Sequence, residues 1–89
     1  MQKNNSKIKN DFGKRAYLYA LSIINLIKQI DNKNMSNNII ARQLIRSATS
    51  IGANIVEAQA GRTKRDFTNF INNSLKSSNE CKFWICLLR

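Results

Sequence analysis

The stretch QLIRSATSIGANIVEAQAGR, residues Gln43–Arg62, decides the fold. Its apolar residues recur at spacings of three and four, the pattern of a helix that buries one face. In order, this stripe contains Ile40, Leu44, Ala48, Ile51, Ile55 and Ala58. Gly61 stands where many helices end, because glycine tolerates the left-handed conformation of a helix terminus. The stretch therefore predicts a long amphipathic helix that stops at a glycine and a basic turn.

Two further helices are predicted on either side of it. Apolar residues spaced three or four apart predict a first helix over about 11–30, followed by a polar connection at 31–34. Ser36 is predicted to cap the second helix, over about 36–60, because its hydroxyl can accept a hydrogen bond from a backbone amide in the first turn. Thr63 followed by Asp66 forms a capping-box-like start for a third helix over about 64–89. The predicted fold is an all-α, antiparallel up-down bundle over 11–89, preceded by a basic disordered arm at 1–10.

Small residues in the middle of the second and third helices predict a close contact between helices. A glycine such as Gly52 inside a helix lowers helix stability by about 1 kcal/mol relative to alanine. Such a glycine is expected where a neighbouring helix approaches closely. Three serines form a matching narrow patch in the third helix. Asn54 and Glu57 are expected to form a half-buried polar pair that satisfies a helix end or bonds Arg62. The residues expected to pack between helices are Ala48, Ile51, Gly52, Asn54, Ile55, Glu57, Phe67, Ser74, Ser78 and Trp84.

The charge balance indicates a polyanionic partner. The chain has 89 residues, enough for one small domain, with 15 Lys and Arg against five Asp and Glu, a net charge of +10. The repulsion between these positive charges is reduced when a phosphate backbone binds them. The alternative is that the positive charge only keeps the protein in solution. In an up-down bundle, the start of the first helix and the turn after the second lie at the same end, so two basic clusters should merge. The residues predicted to contact nucleic acid are Lys14, Arg15, Arg42, Arg46, Arg62, Lys64 and Arg65.

The sequence contains no recognisable catalytic chemistry. Histidine is absent, the acids are dispersed, and the three glycines are isolated, so neither a catalytic base nor a phosphate-binding loop is encoded. Cys81 and Cys86 without histidine make no plausible zinc site. We therefore predict no enzyme, no metal and no cofactor, and a metal-dependent endonuclease is the weakest alternative. The N-terminus lacks the apolar core of a secretory signal, and no apolar run reaches the ~20 residues of a membrane span, so a cytoplasmic protein without membrane contact is predicted.

The segment from Gln43 to Leu88, with Phe12 and Ala16 ahead of it, resembles a known family. It is similar to the four-helix-bundle proteins related to ribosomal-RNA intervening-sequence proteins, a group that includes the accessory variability determinant of diversity-generating retroelements. The match covers about residues 12–89, although many members carry Glu-Gly where Glu57 is followed by Ala58. The matching positions are Gln43, Arg46, Ala48, Ser50, Ile51, Asn54, Ile55, Glu57, Arg62, Phe67, Ser78, Glu80 and Trp84.

The resemblance implies four antiparallel helices and, in the retroelement branch, a basic homopentamer that binds nucleic acid and a reverse transcriptase. Only three helices are present, so the fourth is truncated, left out of a fragment or supplied by a partner. We expect an apolar groove to remain open where it would pack. The leading hypothesis is a non-enzymatic, self-associating, nucleic-acid-binding protein. The rival hypothesis is a structural or protein-interaction module whose basic charge is incidental.

Overall fold

The computed structural model describes residues 7–31 and 33–88, which form three helices. They are α1 (Lys7–Lys28), α2 (Met35–Ala60) and α3 (Lys64–Leu87). The predicted all-α class and the three helices are confirmed. Residues 7–10, assigned to the arm, instead belong to α1, because no proline or glycine precedes Gly13 to stop the helix. Residues 1–6 and Arg89 lie outside the described residues, so the disordered arm stays a prediction for 1–6.

The helix ends differ from prediction at two of three caps. Thr63 caps α3 as expected, with its hydroxyl accepting from the Asp66 amide at 3.0 Å. Asn34, and not Ser36, caps α2, because its side chain reaches the amide of Asn37 at 3.1 Å. Gly61 is extended at φ −65° and ψ 147°, so the predicted left-handed end is wrong. A Cβ on Gly61 would lie only 3.2 Å from the Cβ of Asp66. Glycine is therefore favoured at this position because a side chain would be crowded there.

The helices form an open layer with α2 in the centre. α2 packs against both α1 and α3, whereas in the described part of the chain no Cα of α1 lies within 8 Å of one in α3. The Cα radius of gyration is 14.8 Å, compared with about 12 Å for a compact domain of this length. The smallest principal extent is only 15 Å. Both outer helices therefore contact α2 on one side and leave another side uncovered.

The core is small and centred on α2. Leu44 is fully buried and clusters with Ile23 of α1 and Cys81 of α3, while Ala48 fills the remaining space. The predicted α2 stripe is confirmed, because four of its six residues are buried and the other two are half-buried. The stripes of α1 and α3 are only partly buried.

The predicted close contact between α2 and α3 is present and is made of hydroxyl groups. The Ser74 hydroxyl donates to the backbone oxygen of Ile51 at 2.9 Å, and Ser77 donates to the Ser50 hydroxyl at 3.0 Å. Ser47 is fully buried, with its Oγ 3.2 Å from the Cys81 Sγ. No buried side-chain nitrogen or oxygen lacks a hydrogen-bond partner among the described residues. This α2–α3 seam therefore joins two backbones closely without an unsatisfied polar group.

Two of the small residues face elsewhere than predicted. Gly52 faces α1, where an added Cβ would lie 3.7 Å from the Cβ of Ala16. Ser78 lies on the groove side of α3, beside Tyr19 and Ile55, and not in the α2–α3 seam. The reason is angular, since Ser78 follows Ser77 by about 100° around the helix and therefore lies beside the seam, at the edge of α3 that faces the cavity.

Candidate functional site

A basic end forms where the start of α1 meets the turn between α2 and α3. Phe12 of α1 lines the same cavity as Gly61 and Phe67, which places these segments together. The segments that meet here carry five exposed cations, and we define them as the basic end: Lys14, Arg15, Arg62, Lys64 and Arg65. Asp11 and Asp66 lie on the same segments, and Glu57 precedes Gly61 by about one helical turn, so the described cations there outnumber the acids. The two segments that carry the predicted clusters therefore lie at the same end of the structure, and their merging into one patch stays a prediction.

Arg42 and Arg46 lie away from the basic end. They precede Gly61 by about four to five helical turns along α2. Arg42 is exposed, and Arg46 forms an ion pair with Glu80 of α3. The structure therefore separates both arginines from the other predicted nucleic-acid contacts.

A polar network around Arg46 joins α2 to α3. The Arg46 Nε donates to the Gln43 side chain at 3.0 Å, while its NH2 group donates to Glu80. The indole N–H of Trp84 donates to the same Glu80 carboxylate at 3.1 Å. The hydrogen bond from Trp84, followed by the bond and charge of Arg46, holds the pKa of Glu80 below its usual range. Sequence reasoning missed this network, although all four residues were among the positions that carry the family resemblance.

The Glu80→Gln variant is expected to lower stability at neutral pH but not in acid. The folded-state pKa of Glu80 is depressed below its ordinary value of 4.5, so its contribution is present above that value and is lost as pH falls. The effect should be small because the pair is solvent-exposed. Urea unfolding at pH 7 and pH 3 measures it, and the difference in stability between the two proteins should be smaller at pH 3 than at pH 7.

Glu57→Gln is the matched control for this prediction. Glu57 is exposed, carries the same charge and forms no ion pair among the described residues. The Glu57 change should therefore shift stability far less than Glu80→Gln at pH 7. An equal shift for the two variants would show that overall charge, and not the network, produces the effect.

Asn54 and Glu57 do not form the predicted pair. Asn54 is half-buried, and its amide donates to the backbone oxygen of Ser50 at 2.9 Å and to the Ser50 hydroxyl at 3.1 Å. Glu57 is exposed, and no ion pair with Arg62 occurs in the described chain. Asn54 thereby supports the α2–α3 seam, since Ser50 also accepts from Ser77.

An apolar groove runs between α1 and α3 over the surface of α2, as the sequence predicted. Its α1 wall contains Phe12, Tyr19 and Leu26, which are 53%, 37% and 40% exposed. Phe67 and Ile85, on the α3 wall, are 47% and 37% exposed. Three cavities follow one another along it, and the central one, of about 400 Å³, is lined by Ile51, Ile55 and Ser78 among others. We call this surface the α1–α3 groove.

Aromatic side chains can stack on the bases of a nucleic acid, but the two tyrosines and the tryptophan of this chain are dispersed. Tyr19 lies in the α1–α3 groove, where burial and the neighbouring Cys81 raise its pKa. Trp84 is held by Glu80 and contacts Phe83 edge-to-face, with ring centroids 5.0 Å apart. Tyr17 lines a separate cavity between α1 and α2. The structure therefore provides no common stacking platform from these three side chains.

Two other types of feature are absent from the described residues. They contain no group of three or more His, Cys, Asp or Glu side chains arranged to hold a metal ion. None of their helices combines the length and apolarity that crossing a membrane requires.

Comparison with known proteins identifies the family. The sequence profile of the 23S rRNA-intervening sequence protein family matches residues 9–89. The chain belongs to this family. A crystal structure of a protein with unknown function from the S23 ribosomal protein family of Bacteroides thetaiotaomicron VPI-5482 is similar, with a TM-score of 0.79 and 37% identity. The match covers 89% of this chain and 70% of that one.

Membership of the 23S rRNA-intervening sequence protein family confirms the resemblance to the ribosomal-RNA intervening-sequence proteins that the α2–α3 segment carried. The TM-score of 0.79 shows that the similar crystal structure shares the fold of the three helices seen here. No curated protein matches the chain. The similar crystal structure is itself described as having unknown function, so it supports the fold and leaves activity to be argued from the site.

Proposed function

We propose that the protein is a non-enzymatic nucleic-acid-binding protein that contacts the phosphate backbone through the basic end. The observation that carries this proposal is the gathering of Lys14, Arg15, Arg62, Lys64 and Arg65 where α1 meets the α2–α3 turn. We omit Arg42 and Arg46 because they lie elsewhere and Arg46 is paired with Glu80.

Physical reasoning favours phosphates over bases as the target. Exposed lysine and arginine side chains gain most from a polyanion, since binding releases condensed counterions. The start of α3 adds the positive end of a helix dipole beside Lys64 and Arg65. Contacts of this kind position a nucleic acid without reading its sequence. Binding to RNA and to DNA with little sequence preference is therefore proposed.

The test reverses the charge of three residues of the basic end. Arg62→Glu, Lys64→Glu and Arg65→Glu together should weaken binding about equally for unrelated duplex sequences. The salt dependence should also change, with the slope of log K against log salt falling by about three, close to one per lost contact. Fluorescence anisotropy with labelled duplexes measures both the affinity and its salt dependence. The salt concentration should run from about 50 to 200 mM, a range over which such affinities fall steeply.

A matched control separates position from net charge. Lys28→Glu, Lys33→Glu and Lys76→Glu remove the same amount of charge from exposed positions outside the basic end. This control should retain most of the affinity and most of the salt slope. If both triple variants lose affinity equally, the charge acts only as a diffuse field and the basic end is not the site.

Self-association is proposed as the state in which the protein binds. Partly exposed aliphatic and aromatic residues occur on all three helices, which favours association between copies. Sedimentation velocity over a range of concentrations tests this and gives the size, with the pentamer implied by the resemblance as one outcome. A reverse transcriptase as a protein partner rests on that resemblance alone.

A further inference from the structure

We propose that the outer face of α3 lies across the minor groove of double-stranded RNA, which makes RNA the preferred form of the nucleic acid. This inference rests on the proposed function and deepens it, because it names the kind of duplex that the basic end helps to hold. The observation behind it is a row of side-chain amides that continues from the basic end along α3.

The row follows a regular helical spacing. Its members are separated alternately by four and three positions, so they share one face of α3 over about 21 Å. We call them the amide stripe: Arg65, Asn69, Asn72, Lys76 and Asn79. All of them are exposed. Arg65 also belongs to the basic end, so the two surfaces are continuous.

The amide stripe points away from the packed sides of α3. At about 100° per residue, its centre lies roughly 150° around the helix from Ser74, Ser77 and Cys81, which face α2. It lies roughly 130° from Ile71 and Ser78, which line the α1–α3 groove. Occupation of that groove by another helix therefore leaves the amide stripe accessible.

The composition of the amide stripe differs from that of an ordinary solvated helix face. Such a face usually carries acidic and basic residues that pair at intervals of three or four. The amide stripe contains two cations, three asparagines and no acid. Asparagine forms helices less readily than alanine, lysine or glutamate, so helix stability does not explain these residues. Their side-chain amides form no hydrogen bond within the described chain, whereas that of Asn54 is bonded to Ser50.

Side-chain amides match the hydroxyl groups that distinguish RNA from DNA. A-form RNA displays its 2′-hydroxyl groups in a wide, shallow minor groove. Each hydroxyl both donates and accepts, and an asparagine side chain offers an acceptor oxygen and two donor hydrogens. Such contacts need no particular base, which agrees with the low sequence preference proposed above. The minor groove of B-form DNA is only about 6 Å wide, too narrow for a helix about 10 Å across.

The residues beside the amide stripe argue against the DNA major groove as its binding site. A helix in that deep groove has phosphates along both of its flanks. One flank of the amide stripe carries Leu75, which is 59% exposed, and the other carries Asp66 and Glu80. Neither an apolar side chain nor a carboxylate attracts a phosphate. A shallow groove contacts the amide stripe itself and leaves both flanks in solvent.

Three duplexes of one sequence test the proposal: RNA, DNA and 2′-O-methyl RNA. Each has about 16 base pairs, the length that a double-stranded-RNA domain covers. The 2′-O-methyl duplex keeps the A-form but has no hydroxyl hydrogen to donate. Fluorescence anisotropy at one fixed salt concentration should show about tenfold tighter binding of RNA than of either other duplex. Equal affinities for the three duplexes would overturn the proposal and leave the proposed function intact.

A double variant locates the contact on α3. Asn72→Ala with Asn79→Ala should weaken RNA binding about fivefold, the scale of a modest net gain from hydrogen bonds, and leave DNA binding unchanged. Because the lost groups carry no charge, the slope of log K against log salt should stay the same. Asn25→Ala with Asn73→Ala is the matched control, since both side chains are exposed outside the amide stripe. Equal effects of the two double variants on RNA binding would contradict the proposal.

The failure of this inference differs from the failure of the proposed function. Reversing Arg62, Lys64 and Arg65 should weaken RNA and DNA alike and lower the salt slope, whereas the amide variant should affect RNA alone. If the unaltered chain binds none of the duplexes, both proposals are wrong. If the amide variant instead loses affinity for particular DNA sequences, α3 enters the major groove and the RNA preference is wrong. On DNA the amide stripe, including Lys76, contributes little, so the charge-reversal control described above is unaffected there.

Discussion

Leu44→Ala is expected to destabilise the fold by about 3–5 kcal/mol, the range seen when a fully buried leucine is truncated and its cavity persists. Leu44 is 0% exposed and contacts residues of all three helices in the core cluster. A chain of 89 residues has a total stability of only about 4–13 kcal/mol. Because the open layer buries little else, most of that stability should disappear with one side chain.

Thermal and urea unfolding followed by circular dichroism measure this loss. Ile39→Ala is the matched control, because Ile39 lies on the same helix and is 53% exposed. The control should change stability by no more than about 0.5 kcal/mol, as expected of a surface substitution. If Leu44→Ala unfolds at the same denaturant concentration as the control, the three helices do not share a core at Leu44.

Ser47→Leu is expected to have the second-largest effect, a destabilisation of about 3 kcal/mol, at the upper end of the usual cost of overpacking. Ser47 is 0% exposed, and its Oγ lies 3.2 Å from the Cys81 Sγ on the facing helix. A leucine there has no room unless α2 and α3 move apart. That movement would also break the hydrogen bonds that Ser74 and Ser77 make across the α2–α3 seam.

Ser47→Ala separates size from hydrogen bonding in this prediction. The Ser47 hydroxyl also bonds the backbone oxygens of Gln43 and Leu44 at 3.0 and 3.2 Å within its own helix. Alanine removes these bonds without adding volume, so the loss should stay near or below about 1 kcal/mol. If the Ser47→Leu variant is as stable as the Ser47→Ala variant, then α2 and α3 lie farther apart at Ser47 than the 3.2 Å between the Ser47 Oγ and the Cys81 Sγ implies.

The sequence predicts local features of this fold well and contacts between distant residues poorly. The α2 stripe and the Thr63 cap depend on residues three or four apart, and the structure confirms both. The choice between Asn34 and Ser36 depends on which side chain reaches a first-turn amide, and both residue types can do so. Gly61 adopts a φ of −65° and a ψ of 147°, which any residue can adopt, and the crowding that an added Cβ would meet at Asp66 cannot be read from the position of Gly61 in the chain.

The candidate site shows the same division. The basic end follows from helix order, so it could be anticipated from the up-down arrangement. The pairing of Arg46 with Glu80 could not, because the residues are 34 positions apart and only the angle between α2 and α3 brings them together. The groove was anticipated from stripes wider than three helices can bury.

The separation of α1 from α3 has a consequence for how the chain acquires its structure. Backbone contacts between the described helices join only elements that are neighbours in sequence, across connections at 29–34 and 61–63. Closing such short loops costs little chain entropy, and proteins with low contact order fold fast, in microseconds to milliseconds. Each helix can therefore pack as soon as the next one has been synthesised, without waiting for a distant segment. The α2–α3 hairpin, with its hydroxyl bonds, can form independently of α1, which makes α1 the element that can detach first while the remainder stays folded.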